Sequence, residues 1–238
     1  MKPYDSERGK KEQVQQMFDN IAPTYDALNH TLSAGIDRLW RRRAVRIVAG
    51  SNPRRILDVA SGTGDLALAL ARRMKEAKVT GADISEGMLA IAREKAGRAG
   101  LADRTEFVAG DAEALDFADG SFDAATVAFG VRNFGDIDAG LREIRRVLRS
   151  GGMLTVLELS TPRNRAVGWL YGVYAHRILP WVGGMVSKDR AAYRYLPESV
   201  DEFPAPGRFV EMMSAAGFND CRTRSLTFGV ARIYTGVK

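Results

Sequence analysis

The chain has 238 residues, 45% of them hydrophobic, which is enough for one sizeable core without a second domain. The single cysteine, Cys221, excludes an internal disulfide and a cysteine-based metal cluster; two histidines, His30 and His176, are too few for a structural zinc site, so no metal is expected. A net charge of +6 favours an anionic neighbour, while the polar start and the lack of any run of roughly 20 apolar residues argue against a signal peptide or membrane span.

In chain order, Val14 to Ala22 reads as a short amphipathic helix interrupted by Pro23, and Ile36 to Val48 as a second helix. The second carries Arg38, Arg41, Arg42, Arg43 and Arg46, a run that suits anionic lipid, nucleic acid or a plain solvated face. Residues 1–50 are thus expected to form a helical cap on a main domain of residues 51–238. Strand and helix then alternate: Arg55 to Val59 and Leu66 to Met74; Val79 to Asp83 and Gly87 to Ala96; Thr105 to Val108 and a loop. Phe122 to Ala128 is followed by a helix over Ala139 to Leu148, capped by Ser150-Gly151-Gly152, and by a strand over Met153 to Leu159. Five parallel strands need crossovers of one hand, hence an α/β fold with helices on both faces. Pro162 to Val186 breaks the pattern with aromatics and arginines. A helix returns at Pro206 to Ala216, and Thr223 to Phe228 with Val230 to Val237 forms a hairpin about Gly229, contributing an antiparallel strand.

The first strand runs into Asp58-Val59-Ala60-Ser61-Gly62-Thr63-Gly64-Asp65, a glycine turn that opens a helix. Gly62, Gly64 and Ala67 fit a dinucleotide loop equally well, so the glycines alone do not identify the ligand. The acids do. A pyrophosphate at a helix N-terminus would be repelled by Asp58 and Asp65, whereas S-adenosylmethionine has no phosphate and carries a sulfonium and an ammonium. Asp83, ending the second strand, is placed to accept from two ribose hydroxyls, and Asp111-Ala112, after the third, to face the adenine. S-adenosylmethionine is therefore the expected cofactor, held by Asp58, Gly62, Thr63, Gly64, Asp83, Ile84, Asp111, Ala112 and Ala128.

Further segments are Tyr25-Asp26-Ala27-Leu28-Asn29 with Ser33 and Trp40, Phe129-Gly130-Val131-Arg132-Asn133, and Arg146 to Gly152 leading to Glu158-Leu159-Ser160. With the cofactor motifs they make nearly the whole chain resemble the menaquinone/ubiquinone biosynthesis C-methyltransferases. That resemblance implies a class I S-adenosylmethionine-dependent methyltransferase (Rossmann-like) fold with a seven-stranded, mostly parallel sheet and one antiparallel strand. It also implies methylation of a ring carbon of a polyprenylated hydroquinone, demethylmenaquinol foremost and 2-methoxy-6-polyprenyl-1,4-benzoquinol as the alternative. Leu28, Asp37 and Arg149-Ser150 depart from the family pattern of methionine, histidine and lysine-proline; if a histidine at position 37 handles protons in relatives, another residue does so here, and if it only packs, the change is harmless.

A phenol has a pKa of about 10, so the site needs a base or a cation that makes the phenolate accessible. Arg132 is the expected cation, with Asn133 beside it; a salt bridge to a neighbouring acid is the structural alternative. Tyr25 and His30 complete the expected catalytic set. Residues 162–205 are expected to face substrate and membrane: Trp169, Leu170, Tyr171, Val173, Tyr174, Ile178, Leu179 and Trp181 mix with Arg163, Arg165 and Arg177 as in a headgroup-level helix. The expected setting is cytoplasmic, with transient contact at the inner face of the membrane, no nucleic-acid partner, and a homodimer as the assembly to test. A methyltransferase for another small molecule and a non-catalytic cofactor-binding scaffold are the competing readings.

Overall fold

The computed structural model describes residues 2–4, 7–33, 35–162, 168–169, 172 and 190–238. Two helices come first, α1 (Lys10–Leu32) and α2 (Ile36–Ala49). Contrary to the sequence expectation, α1 continues through Pro23. An interior proline costs a helix about 3 kcal/mol. Here Val14, Met17, Ile21 and Ala22 are buried in one cluster with Met88, Ala192 and Tyr195, and each large side chain so buried returns roughly 1.5–3 kcal/mol. Packing outweighs the local penalty.

Strands β1 (Arg55–Val59), β2 (Lys78–Asp83), β3 (Thr105–Ala109), β4 (Phe122–Ala128), β5 (Leu148–Leu159), β6 (Asn219–Leu226) and β7 (Ala231–Val237) form one seven-stranded sheet. Their order is β3-β2-β1-β4-β5-β7-β6, with β7 antiparallel to both neighbours and all other pairs parallel. The expected sheet is thus present, but the antiparallel strand lies inside it and β6 forms the edge. The connecting helices are α3 (Asp65–Arg73), α4 (Glu86–Arg98), α5 (Ile137–Val147), α6 (Arg190–Glu202) and α7 (Pro206–Ala215).

Strand residues alternate between two cores. Ile56, Val79, Ala124 and Leu157 pack with α2, α3 and α4, whereas Leu57, Ala82, Ala125 and Val156 pack with α5 and α7. Both faces are covered, which is why the parallel strands read as continuous apolar runs.

Two local expectations are corrected. The helix α5 ends without a glycine cap: Leu148 is already extended and the Ser150-Gly151-Gly152 segment lies within β5. There Gly151, at φ +73°, donates its N–H to the Lys238 carbonyl, and Gly152 accepts from the Lys238 N–H. The glycines serve the sheet end. In addition, α6, which encloses Pro197, precedes the point at Pro206 where the sequence leads one to expect the next helix. The strand order reverses between β1 and β4, and the crevice at their carboxyl ends is where open α/β sheets take ligands.

Candidate active site

After β1 the chain passes through left-handed conformations at Ala60, Gly62 and Gly64. A Cβ on Gly64 would lie 2.9 Å from the Phe107 ring and 3.0 Å from the Ala92 Cβ, so only glycine lets α3 start this close to β3 and α4. The tightened loop donates the Gly62 N–H to Asp83 Oδ2 at 2.8 Å, while Ser85 N–H donates to Asp83 Oδ1 at 2.9 Å. Burial pushes the Asp83 carboxyl up, against the pull of these bonds.

Around this turn lies a cavity of about 660 Å³, counting space open to solvent. Of the nine expected cofactor residues it brings together Gly62, Asp83, Ile84, Asp111, Ala112 and Ala128. Asp111 accepts the Glu113 N–H at 3.0 Å and is ion-paired with Lys11 of α1, which also lines the cavity.

The other three are not among its lining residues. Asp58 is buried in the sheet, where it accepts from Thr126 Oγ1 at 2.6 Å and from the Ala67 N–H; burial raises its carboxyl to about 7. Thr63 turns its hydroxyl to Asp26 on α1, and Gly64 caps α3 from beneath the loop. They shape the turn without lining the space above it.

A second cavity, of about 740 Å³ on the same terms, is lined by Ser33, Asp37, Trp40, Arg41, Arg132, Leu159 and Tyr195, among others. Phe18, Tyr25, Phe129 and Asn133 line both cavities, so the two spaces adjoin across these four side chains. A Cβ on Gly130 would stand 2.6 Å from that of Ala60, so glycine also allows the loops after β1 and β4 to meet here.

Arg132 is buried, and its Nη1 is 2.7 Å from Glu158 Oε1 in an ion pair that is itself buried. Its Nε also donates to Ser199 Oγ at 3.3 Å, and Nη1 to the Phe129 carbonyl. Burial alone would lower the guanidinium pKa, but Glu158 together with Tyr25 and Tyr195 outweighs it and the group stays charged. Tyr195 donates to Asn133 Oδ1 at 3.3 Å, and burial pushes its phenol up to about 12, making it a donor and not a base. Asp37 is the one carboxylate among the described lining residues of this cavity. Burial would raise it, but Ser33 (2.6 Å), Arg41 and His30 (2.8 Å) hold it below the usual carboxylate range.

His30 lines neither cavity. Its Nδ1 meets Asp37, and its Nε2 lies 3.4 Å from Asp65. Although ligand atoms of His30, Asp37 and Asp65 lie within 4.8 Å of one another, Arg41 pairs with both acids and Lys95 pairs with Asp65, filling a cation's role. Lys95 also reaches Asp26 at 2.7 Å, so the network ties α1 and α2 to the cofactor loop.

Lys11, Asp37, Phe129, Glu158 and Tyr195 were not singled out as site residues by the sequence reading. A charged residue closing an apolar strand was the available signal for Glu158; for Tyr195 there was none, since no helix was expected over residues 190–202. The stretch from Arg163 to Met185 lies outside the described residues except for Gly168, Trp169 and Gly172; Trp169 is 68% exposed. Among the described residues no helix is long and apolar enough to cross a membrane.

The ubiE/COQ5 methyltransferase family profile matches residues 6–238. The chain belongs to this family. A demethylmenaquinone methyltransferase of Thermus thermophilus is 54% identical over 220 residues, covering 92% of this chain and 99% of the relative. A ubiquinone/menaquinone biosynthesis C-methyltransferase UbiE of Geobacter sulfurreducens is 46% identical over 230 residues, covering 96% and 90%. Among solved structures, a SAM-dependent methyltransferase of Thermotoga maritima superposes with a TM-score of 0.66 at 20% identity, covering 94% of this chain and 99% of that one, a likeness of fold. The protein is a methyltransferase of the class I fold, with S-adenosylmethionine as methyl donor. The first cavity is lined by Asp83, Asp111 and Glu113 together with Lys11, and the Asp83 oxygens retain lone pairs beside the bonds they accept.

Proposed function

We propose that this methyltransferase methylates a ring carbon of a polyprenylated hydroquinone, with demethylmenaquinol as the acceptor. The observation that carries this reading is the adjoining second cavity, which combines apolar walls from Met17, Ile21, Trp40, Phe129 and Leu196 with Asp37, Arg132, Asn133 and Tyr195. A fused aromatic ring with two hydroxyls matches that mixture. Demethylmenaquinone appears in the names of relatives aligned along almost the entire chain, which supports the same acceptor.

S-adenosylmethionine, held by Gly62, Asp83, Ile84, Asp111, Ala112 and Ala128, supplies a methyl group on a sulfonium. The chain's own task is to make the acceptor carbon electron-rich and hold it at the shared boundary, where Tyr25, Phe129 and Asn133 form the walls. Arg132 Nη2, which has no hydrogen bond to any described residue, donates to the phenolic oxygen as charge develops. Glu158 fixes the fork that makes this donation directional. Tyr195 holds Asn133, and Asp37, kept ionised by its neighbours, accepts the phenolic proton; once the methyl group is on carbon, the hydrogen that carbon carried leaves as a proton and the ring becomes aromatic again. Asp37 is a weak base against a phenol of pKa about 10, so the arginine must stabilise the phenolate as the proton leaves. Tyr25 serves as a wall and hydrogen-bonding group; His30 acts behind Asp37, away from the acceptor. In this proposal residues 1–50 cap residues 51–238, and residues 162–205 face the membrane-held tail, with the protein transiently at the inner face of the membrane.

The test is a purified-protein assay with labelled S-adenosylmethionine and, under reducing conditions, demethylmenaquinol or 2-methoxy-6-polyprenyl-1,4-benzoquinol. Label in the naphthoquinol is expected. Label in the benzoquinol alone would move the protein to ubiquinone synthesis, and label in neither would overturn the reading in favour of a scaffold.

A further inference from the structure

While α2 lines the second cavity with Asp37, Trp40 and Arg41, it also meets the turn between β6 and β7 in a surface groove. Leu39, Arg42, Arg43 and Arg46 line that groove from α2, and Arg224 lines it from β6. Trp40 belongs to both cavity and groove. Its Nε1 donates to Thr227 Oγ1 at 2.8 Å, tying the turn to the wall of the acceptor site.

Among the described residues no carboxylate pairs with Arg42, Arg43, Arg46 or Arg224, so four guanidinium charges converge without compensation. Leu39, which lines the groove, is 58% exposed, and Phe228, the chain neighbour of the lining residue Thr227, is 82% exposed. Phe228 also has φ +55° and Thr227 φ +42°, a left-handed region that side chains larger than glycine avoid. Strain and exposure coincide in one aromatic residue at the tip of the turn.

We propose that this groove is a docking surface for an anionic phospholipid bilayer, with the arginines among the headgroup phosphates and Leu39 and Phe228 in the acyl boundary. The guanidinium forks match phosphate, and a bilayer, unlike a duplex backbone, gives both apolar tips an apolar medium. The end of β5 reaches the same turn: Ser160 Oγ donates to the Gly229 carbonyl at 2.6 Å, and Pro162 lies 3.4 Å from where a Gly229 Cβ would stand. The inference rests on the reading of the acceptor as a prenylated hydroquinone, whose tail would enter past the Trp40 wall.

Flotation with phosphatidylcholine vesicles, with and without phosphatidylglycerol, tests the surface. The parent protein should float with the anionic vesicles only. Arg42→Gln/Arg46→Gln should weaken binding roughly 25-fold, taking about fivefold for each arginine at a charged membrane, and Phe228→Ser should weaken it severalfold. Arg72→Gln/Arg73→Gln, which removes equal charge from the exposed end of α3, should bind like the parent. All variants should keep parental turnover of a water-soluble short-chain hydroquinone. Absence of that turnover in the parent would defeat the acceptor assignment, while flotation would still judge the surface. Failure of the parent to float, equal loss in the α3 control, or displacement of the vesicles by a duplex oligonucleotide would overturn the proposal.

Discussion

Arg132 and Glu158 are buried together, so each makes the other tolerable. Removing one partner from a buried pair leaves an uncompensated charge, typically at 3–5 kcal/mol. Glu158→Gln should accordingly lower the urea midpoint markedly, whereas Arg132→Lys, which keeps the charge and loses the fork, should stay folded. In that variant turnover should fall by ~10²-fold while S-adenosylmethionine affinity by calorimetry changes little; an unchanged rate constant would remove Arg132 from the chemistry. Arg132 was legible in the sequence as a cation after the fourth strand, but its partner was not, because the pairing depends on β4 and β5 being neighbours. Asp58 gives a separate prediction. Its folded carboxyl titrates near 7 and an unfolded one near 3.9, so the folded chain holds the extra proton between these values. Its contribution to stability thus falls as pH rises through that window. Asp58→Asn removes the dependence, and urea unfolding at pH 5 and pH 8 should show the variant gaining on the parent at the higher pH by on the order of 2 kcal/mol. A constant difference would mean that Asp58 is ionised throughout.

Among the elements, α1 carries the most consequences. It spans Pro23, supplies Phe18 and Tyr25 to both cavities, and is held to the cofactor loop through Lys95, Asp26 and Thr63. Lys95→Met should leave the sheet intact and loosen α1, seen as severalfold faster hydrogen exchange in its second half and weaker cofactor binding. Unchanged exchange there would show that apolar packing alone holds the helix. Gly64→Ala tests the loop: a left-handed backbone plus contact with Phe107 should cost about 1–3 kcal/mol and weaken the cofactor more than the acceptor. The sequence showed both glycines, because φ above zero demands them, and it showed the strands, because burial on both faces leaves unbroken apolar runs. It misjudged the length of α1 because the cost of a proline is local and visible, while the packing that outweighs it comes from distant segments.

For the whole molecule, sheet order decides which strand ends become a site. The acids after β1, β2 and β3 were legible as a cofactor signature; Asp83 and Asp111 do line the cavity, and Asp58 does not, since its side chain bonds to β4. The second cavity was less legible. It is assembled from α1, α2, the loop after β4 and α6, and no short motif encodes such an assembly. The chemistry of the acceptor predicts a preference at this scale: a hydroquinone ring is electron-rich once deprotonated and a quinone ring is not, so methylation should require reductant and cease in its absence. Efficient turnover of the quinone under oxidising conditions would sink the hydroquinone assignment.

Because Phe18 and Tyr25 of one helix line two adjoining chambers, filling one should be felt in the other. A ring in the second chamber and a nucleoside in the first would press on the same two side chains. Calorimetry of the hydroquinone with and without the demethylated nucleoside should therefore give different affinities, and equal affinities would show that the shared wall transmits nothing.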